Sequence, residues 1–140
     1  MIEESYSKAA KVLFYGTLDE SYALKKSKSL MFETQSYDQL LKLHQIITKK
    51  DSTLNQVNIQ KMDSHEGHFT LPVNTSLEHW REFKFNASKE NFYPVLYKWI
   101  GDFTDEDISK LLGLSLGSLS MRYNSGLIKL GSYLVKGLQL

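Results

Sequence analysis

The stretch FTDEDISKLLGLSLGSLSMRYNSGLIKLG, Phe103 to Gly131, constrains this chain more than any other. It predicts a helix, a tight turn and a second, longer helix. Thr104 suits an N-cap, and Asp105, Glu106 and Asp107 follow it in the first turn, where carboxylates favour the positive end of the helix dipole. Ile108, Leu111 and Leu112 then recur at helical spacing, and Gly113 stands where a left-handed C-cap is wanted. Leu114 is an apolar plug in the turn, and Ser115 caps the next helix. Along that helix Leu119, Tyr123, Leu127, Leu130 and Leu134 form one apolar stripe. This is the layout of a helix-turn-helix, whose second helix can lie in the DNA major groove.

Two short helices cannot bury enough apolar surface alone, so the pair needs support from upstream. Ser76 can cap a helix containing Leu77, Trp80, Phe83 and Phe85. A further helix is expected from about Asn91, with Pro94 in its first turn, where a missing N–H is tolerated. Val95, Leu96, Trp99 and Ile100 are its buried face, and Gly101-Asp102 turns the chain into Thr104. Trp80, Phe83, Phe92, Trp99 and Tyr123 read as core aromatics of this module rather than as base-stacking groups.

The first half is also helical in pattern. Tyr6, Ala9, Ala10, Leu13 and Phe14 mark a helix from Ile2 to Tyr15, ended by Gly16. Asp19 or Ser21 can begin the next, which carries Tyr22, Ala23, Leu30, Met31 and Phe32. A third, Tyr37 to Ile47, has Ser36 as cap and Leu40, Leu41, Leu43, Ile46 and Ile47 on its apolar side, with Lys49 and Lys50 at its C-terminal end. From Asp51 to Thr75 the pattern dissolves into a polar stretch with Gly67 and Pro72. QVNIQ and HFTLPV within it are candidate extended pieces. An irregular run of that size is uncommon inside one compact domain. The expectation is therefore all-α, as two small helical domains, residues 1–50 and 76–140, joined by a linker over 51–75. The second domain is a four-helix helix-turn-helix module.

Composition narrows the function classes. The 140 residues are 41% apolar, 12% aromatic and 24% charged, which suits a globular protein. Net charge is +1, so bulk charge argues neither for nor against nucleic acid. The absence of cysteine excludes disulfides and thiolate metal sites and fits a cytoplasmic location. No stretch approaches the ~20 apolar residues of a membrane span, so no membrane partner is expected. Nucleophilic motifs and phosphate-cradling loops are missing, so the chain is not expected to be an enzyme, and no cofactor is implied. His65, Glu66 and His68, with Asp63 and His79 nearby, are better read as solvated linker than as a metal site.

Trp99-Ile100 is followed by Thr104 with Asp105 and Glu106, then by Ile108-Ser109. Next come Leu112-Gly113-Leu114-Ser115, Gly117-Ser118-Leu119-Ser120-Met121-Arg122-Tyr123, and Gly126. In these residues the run Tyr93 to Leu134 resembles the C-terminal, promoter-reading domain of bacterial sigma factors, especially the small extracytoplasmic-function type. That family shows Ile-Ala, then Leu-Gly-Ile-Ser-x-Gly-Thr-Val-Lys-Ser-Arg-Leu. A helix-turn-helix of the response-regulator type shares part of the pattern. More weakly, Ala9 to Glu33 is similar in spacing to the helix pair of the family's N-terminal domain, which docks on polymerase. Tyr37 to Lys50 falls where its promoter-melting helix stands.

The resemblance implies promoter DNA and the RNA polymerase core as partners, with an anti-sigma factor or other regulatory protein as a further one. It places DNA contact at Ser115, Gly117, Ser118, Ser120, Arg122, Asn124 and Lys129. Arg suits guanine and Asn suits adenine by bidentate geometry. Three departures bear on that reading. Lys25, Lys26 and Lys28 stand where the family's docking helix is acidic. His44, Gln45, Lys49 and Lys50 replace the Trp- and Arg-rich melting helix. Ser120, Ser125 and Leu127 stand where basic residues are usual. From Ile108 to Leu140 the chain nonetheless has Lys110, Arg122, Lys129 and Lys136 and no acid. A protein-interaction module with little direct DNA binding is thus an alternative, as is a plain DNA-binding regulator that dimerises through its first half.

Overall fold

The structure, a computed structural model, describes residues 2–30, 37–51 and 77–138. All elements among the described residues are helical. The chain divides into two compact units, residues 1–70 and 71–140. The expected linker beyond Asp51, both candidate extended pieces, the caps Ser36 and Ser76, and the His65, Glu66 and His68 group lie outside the described residues.

In the first unit, α1 (Ile2–Thr17) packs against α2 (Glu20–Ser27) and α3 (Tyr37–Asp51). A short 3₁₀ turn, Lys28–Leu30, continues α2. The C-terminal half of α1 is buried on nearly every side, from Ala9 and Ala10 through Val12 to Leu18. A helical stretch that is apolar on nearly every side belongs at the centre of its unit, and the C-terminal half of α1 takes that place.

Gly16 does not end α1. The helix runs through it to Thr17, whose hydroxyl donates to the Leu13 carbonyl at 2.6 Å. The left-handed residue is Leu18, at φ 58°. Left-handed backbone costs a non-glycine residue about 1–2 kcal/mol, while fully burying a leucine side chain returns about 1.5–3. Leu18 is 1% exposed, so burial wins. Asp19 is the N-cap of α2, accepting from the Tyr22 N–H at 3.0 Å. Helix α2 is shorter than its apolar pattern suggested: Leu30 lies in the 3₁₀ turn, and Met31 and Phe32 fall outside the described residues. Helix α3 is longer, reaching Asp51, with Lys49 and Lys50 in its last turn. Leu40, Leu43 and Ile47 are its buried line, while Leu41 and Ile46 are half-buried.

The second unit is built around α5 (Lys89–Val95) and the π-helical segment Leu96–Ile100 that continues it. Helix α4 (Leu77–Asn86) brings Trp80 and Phe83 to it, and α6 (Asp105–Leu112) and α7 (Leu116–Leu138) complete the unit. Trp80 lies 5.4 Å from Phe83, 5.5 Å from Phe92 and 6.4 Å from Trp99, ring centre to ring centre. Trp99 and Tyr123, expected in the core, are half-buried, whereas Trp80, Phe83 and Phe92 are core, as expected. Phe85 is not: at 43% exposed it lies off the buried line of α4.

Helix α5 begins at Lys89, two residues before the sequence-based start, and the extended Ser88 before it makes no side-chain capping bond. That places Pro94 beyond the first turn. A proline there supplies no N–H to the carbonyl four residues back and crowds it, which loosens the helix. The chain widens into a π turn just downstream, where the Gly101 N–H bonds the Leu96 carbonyl at 3.0 Å. The wider turn alters which residues face inward: Tyr97 is wholly buried, whereas Trp99 is only half-buried. At the end of the segment Asp102, not Gly101, takes the left-handed conformation, at φ 56°.

Candidate nucleic-acid interface

Local chemistry sets the α6–α7 pair. The Thr104 hydroxyl accepts from the Asp107 N–H at 3.2 Å, capping α6. Gly113 ends it at φ 69°, and the Gly113 N–H and the Leu114 N–H, the latter at 3.0 Å, both return to the Ser109 carbonyl. Ser115 then caps α7, accepting from the Ser118 N–H at 3.1 Å. Its hydroxyl also donates to that of Ser118, again at 3.1 Å. Two of the sequence-predicted DNA contacts are therefore engaged in starting the helix.

The inner face of α7 is held by Leu119 and Leu130 and by a glycine contact. A Cβ on Gly126 would lie 2.6 Å from Val95 Cγ2 and 2.8 Å from the Asn91 carbonyl oxygen. Helices α5 and α7 cross this closely because residue 126 has no side chain. Beside the crossing, the Asn91 amide donates to the Arg122 carbonyl at 3.1 Å. Tyr123 and Leu127 edge this face and are half-buried. The Lys98 amine lies 4.5 Å above the Tyr123 ring and 3.1 Å from Asp105, clamping the first turn of α6 to the centre of the unit. Burial raises the Tyr123 phenol pKa; Lys98 opposes the rise and Asp105 adds to it. Asn91, Lys98 and Gly126 were not singled out for these contacts, which join residues distant in sequence.

The outer face of α7 differs from expectation. At about 100° per residue, Ser120 and Asn124 share one flank with Gly117. Arg122 falls about 160° from Asn124, on the opposite flank with Ser118 and Lys129. Between the flanks stand Met121 and Ile128, 73% and 75% exposed. The four candidate base readers Ser118, Ser120, Arg122 and Asn124 thus split into two pairs, with apolar side chains on the outermost line. Ser120, Asn124 and Lys129 are exposed, and Arg122 is half-buried. Leu116, 53% exposed, adds to the apolar character at the start of the helix. A helical projection of the sequence carries this signal, because Met121 and Ile128 are seven residues apart.

Among the described residues no group of three or more His, Asp and Glu side chains could hold a metal. No helix among them is long and apolar enough to cross a membrane. No family model, curated protein or solved structure matches the chain.

Proposed function

We propose that the chain is a sigma-like transcription factor without chemistry of its own, acting in the cytoplasm on promoter DNA and the RNA polymerase core. Its α6–α7 pair serves as the helix-turn-helix of the second of two small domains. The observation that carries this reading is the joint itself. A threonine-capped helix, a left-handed glycine and a serine-capped second helix present α7 outward. The same region has Lys110, Arg122 and Lys129 and no acid after Asp107. Cations placed this way neutralise phosphates and release counterions. Ser120 and Asn124 on one flank, and Arg122 and Lys129 on the other, are spaced to meet the two walls of a groove.

Met121 and Ile128 favour a second reading, in which α7 docks on a regulatory protein such as an anti-sigma factor and binds little DNA. Apolar side chains this exposed on the outermost line of a helix fit a protein surface better than solvent. Gel shift of the full chain on promoter DNA across a salt series separates the two. Direct DNA contact predicts that Arg122→Ala and Lys129→Ala each flatten the salt slope by about 1. Unchanged affinity in both variants, with binding lost in Met121→Gln against a captured protein, sinks the DNA reading. Transcription from core polymerase with this protein as the sole added factor tests the role as a whole.

A further inference from the structure

Helix α7 carries a seven-residue repeat that its packing inside the second unit leaves half used. Met121, Ile128 and Val135 stand seven apart, and Gly117, Asn124 and Gly131, each four residues before one of them, form a second row. Together the rows make one line along the helix at alternating four- and three-residue spacing. An ideal helix drifts about 20° per seven residues, so a repeat kept over three such steps holds its line toward a neighbouring helix. The line lies on the outer side. Met121 and Ile128 are 73% and 75% exposed, and Gly117 and Asn124 are exposed as well. The glycines of α7 divide in the same way. Gly126, on the inner side, is matched by its contact with Val95 and Asn91, whereas a Cβ on Gly117 or Gly131 would meet nothing within 4 Å. Glycine inside a helix weakens it, and no close approach within the unit accounts for these two.

We propose that this outer line pairs, in parallel and in register, with the same line of a second copy of the chain. Charge and shape name the occupant. The line is uncharged, and so are the residues beside it, Ser118 and Ser125 on one flank and Ser120 and Leu127 on the other. Arg122 and Lys129 follow Met121 and Ile128 by one residue, about 100° further round the helix, so the cations of two copies stay clear of each other. A partner helix with acids beside its own apolar line would set them against serine and leucine, whereas α7 meets an uncharged flank with an uncharged flank. β-Branched residues in one row, as Ile128 and Val135 are, favour two parallel strands, and an asparagine in the line fixes register by meeting its own copy. One pair of 23-residue helices, each about 34 Å long, is a small interface, so pairing belongs to micromolar concentrations and above. Below them the chain is monomeric, with Met121 and Ile128 in water. Pairing also withdraws Ser120 and Asn124 from a DNA groove. That consequence rests on the helix-turn-helix reading; the pairing itself does not.

The test is sedimentation velocity of the full chain, without DNA, from sub-micromolar to submillimolar concentration. The weight-average mass is expected to rise from one chain toward two. Association should weaken about tenfold or more in Met121→Gln/Ile128→Gln and stay unchanged in Phe85→Gln, which alters an exposed apolar side chain on α4. Circular dichroism checks that each variant is folded. Because the chain has no cysteine, Asn124→Cys reports the register. Mild oxidation should link that variant into a dimer on a non-reducing gel, while Lys129→Cys should stay largely unlinked. A single-chain mass at every concentration overturns the proposal and leaves the face to a different partner. Self-association that survives the double variant overturns it too, by placing the contact elsewhere. So does the failure of Asn124→Cys to link, or equal linking of the two cysteine variants.

Discussion

Each unit is organised around a stretch of helix buried on nearly every side, the C-terminal half of α1 in the first and α5 with its π extension in the second, but the two solve the problem differently. The C-terminal half of α1 and the Leu18 that follows it are buried with mostly aliphatic and small residues: Ala9, Ala10, Val12, Leu13, Gly16 and Leu18 beside Phe14 and Tyr15. Helix α5 and its π extension are buried with larger rings, Phe92, Tyr93 and Tyr97, plus Pro94. Small residues let α1 stay a regular helix with its neighbours close. In the second unit a proline-loosened turn makes room for rings, and close approach is recovered at one point, where Gly126 of α7 meets Val95 and Asn91. The surfaces differ in turn. The first unit shows a lysine-lined groove between α2 and α3, and the second shows a convex helix whose outermost side chains are uncharged.

The most damaging way to probe the contrast is at the glycine crossing. Gly126→Val forces α7 off α5 and is expected to destabilise the second unit by about 3 kcal/mol, read from urea unfolding followed by the Trp80 and Trp99 fluorescence. A loss under about 1 kcal/mol would mean that the rings around α5 repack easily, and the contrast with α1 would fall.

The central helix of the first unit is probed by pH. Burial lifts the Tyr15 phenol from 10.0 to about 12. A buried neutral phenol favours the folded state fully below the unfolded value. Above it the unfolded chain ionises while the folded one does not, so stability falls from pH 10 until the folded group ionises near pH 12. Phe at this position removes that term, so Tyr15→Phe should unfold later in an alkaline titration followed by circular dichroism. Coincident curves for the two proteins would show that Tyr15 ionises freely.

A gain is expected in the second unit. Ser109 is 8% exposed, and its hydroxyl has no hydrogen-bond partner among the described residues. Burying such a hydroxyl unpaired costs about 1–3 kcal/mol. Ser109→Ala is expected to raise stability by about 1 kcal/mol in the same urea assay. A loss instead would reveal a partner for the hydroxyl.

The smallest effect is expected on the outer face of α7. Met121→Gln with Ile128→Gln should leave stability within about 0.5 kcal/mol, because both side chains face solvent. A larger loss would show that this face is covered within the protein and not available to DNA or to a partner.

The joint between α6 and α7 was legible in the residues themselves. Thr104, Gly113 and Ser115 act through bonds to residues a few places along, so their chemistry is written within a few residues of where it operates. Asp19 was readable for the same reason. The apolar periodicity also located every described helix, though not always its ends. Helix α1 overran Gly16 because burial of Leu18 outweighed the local preference for glycine. Pro94 was placed too early in its helix because α5 starts at Lys89, two residues before Asn91.

What the chain determines alone is therefore the helical class and the caps, which follow from local hydrogen bonding and from apolar spacing. Which side chains share a face, and with whom, was decided by the tertiary structure. Tyr97 turns inward beside a π turn, Phe85 is left in water, and Gly126 proves to be a packing contact. Lysines from two helices converge on one groove. These outcomes depend on contacts between residues far apart in sequence, whose geometry is settled only when the helices pack at van der Waals distance and leave little room for alternatives.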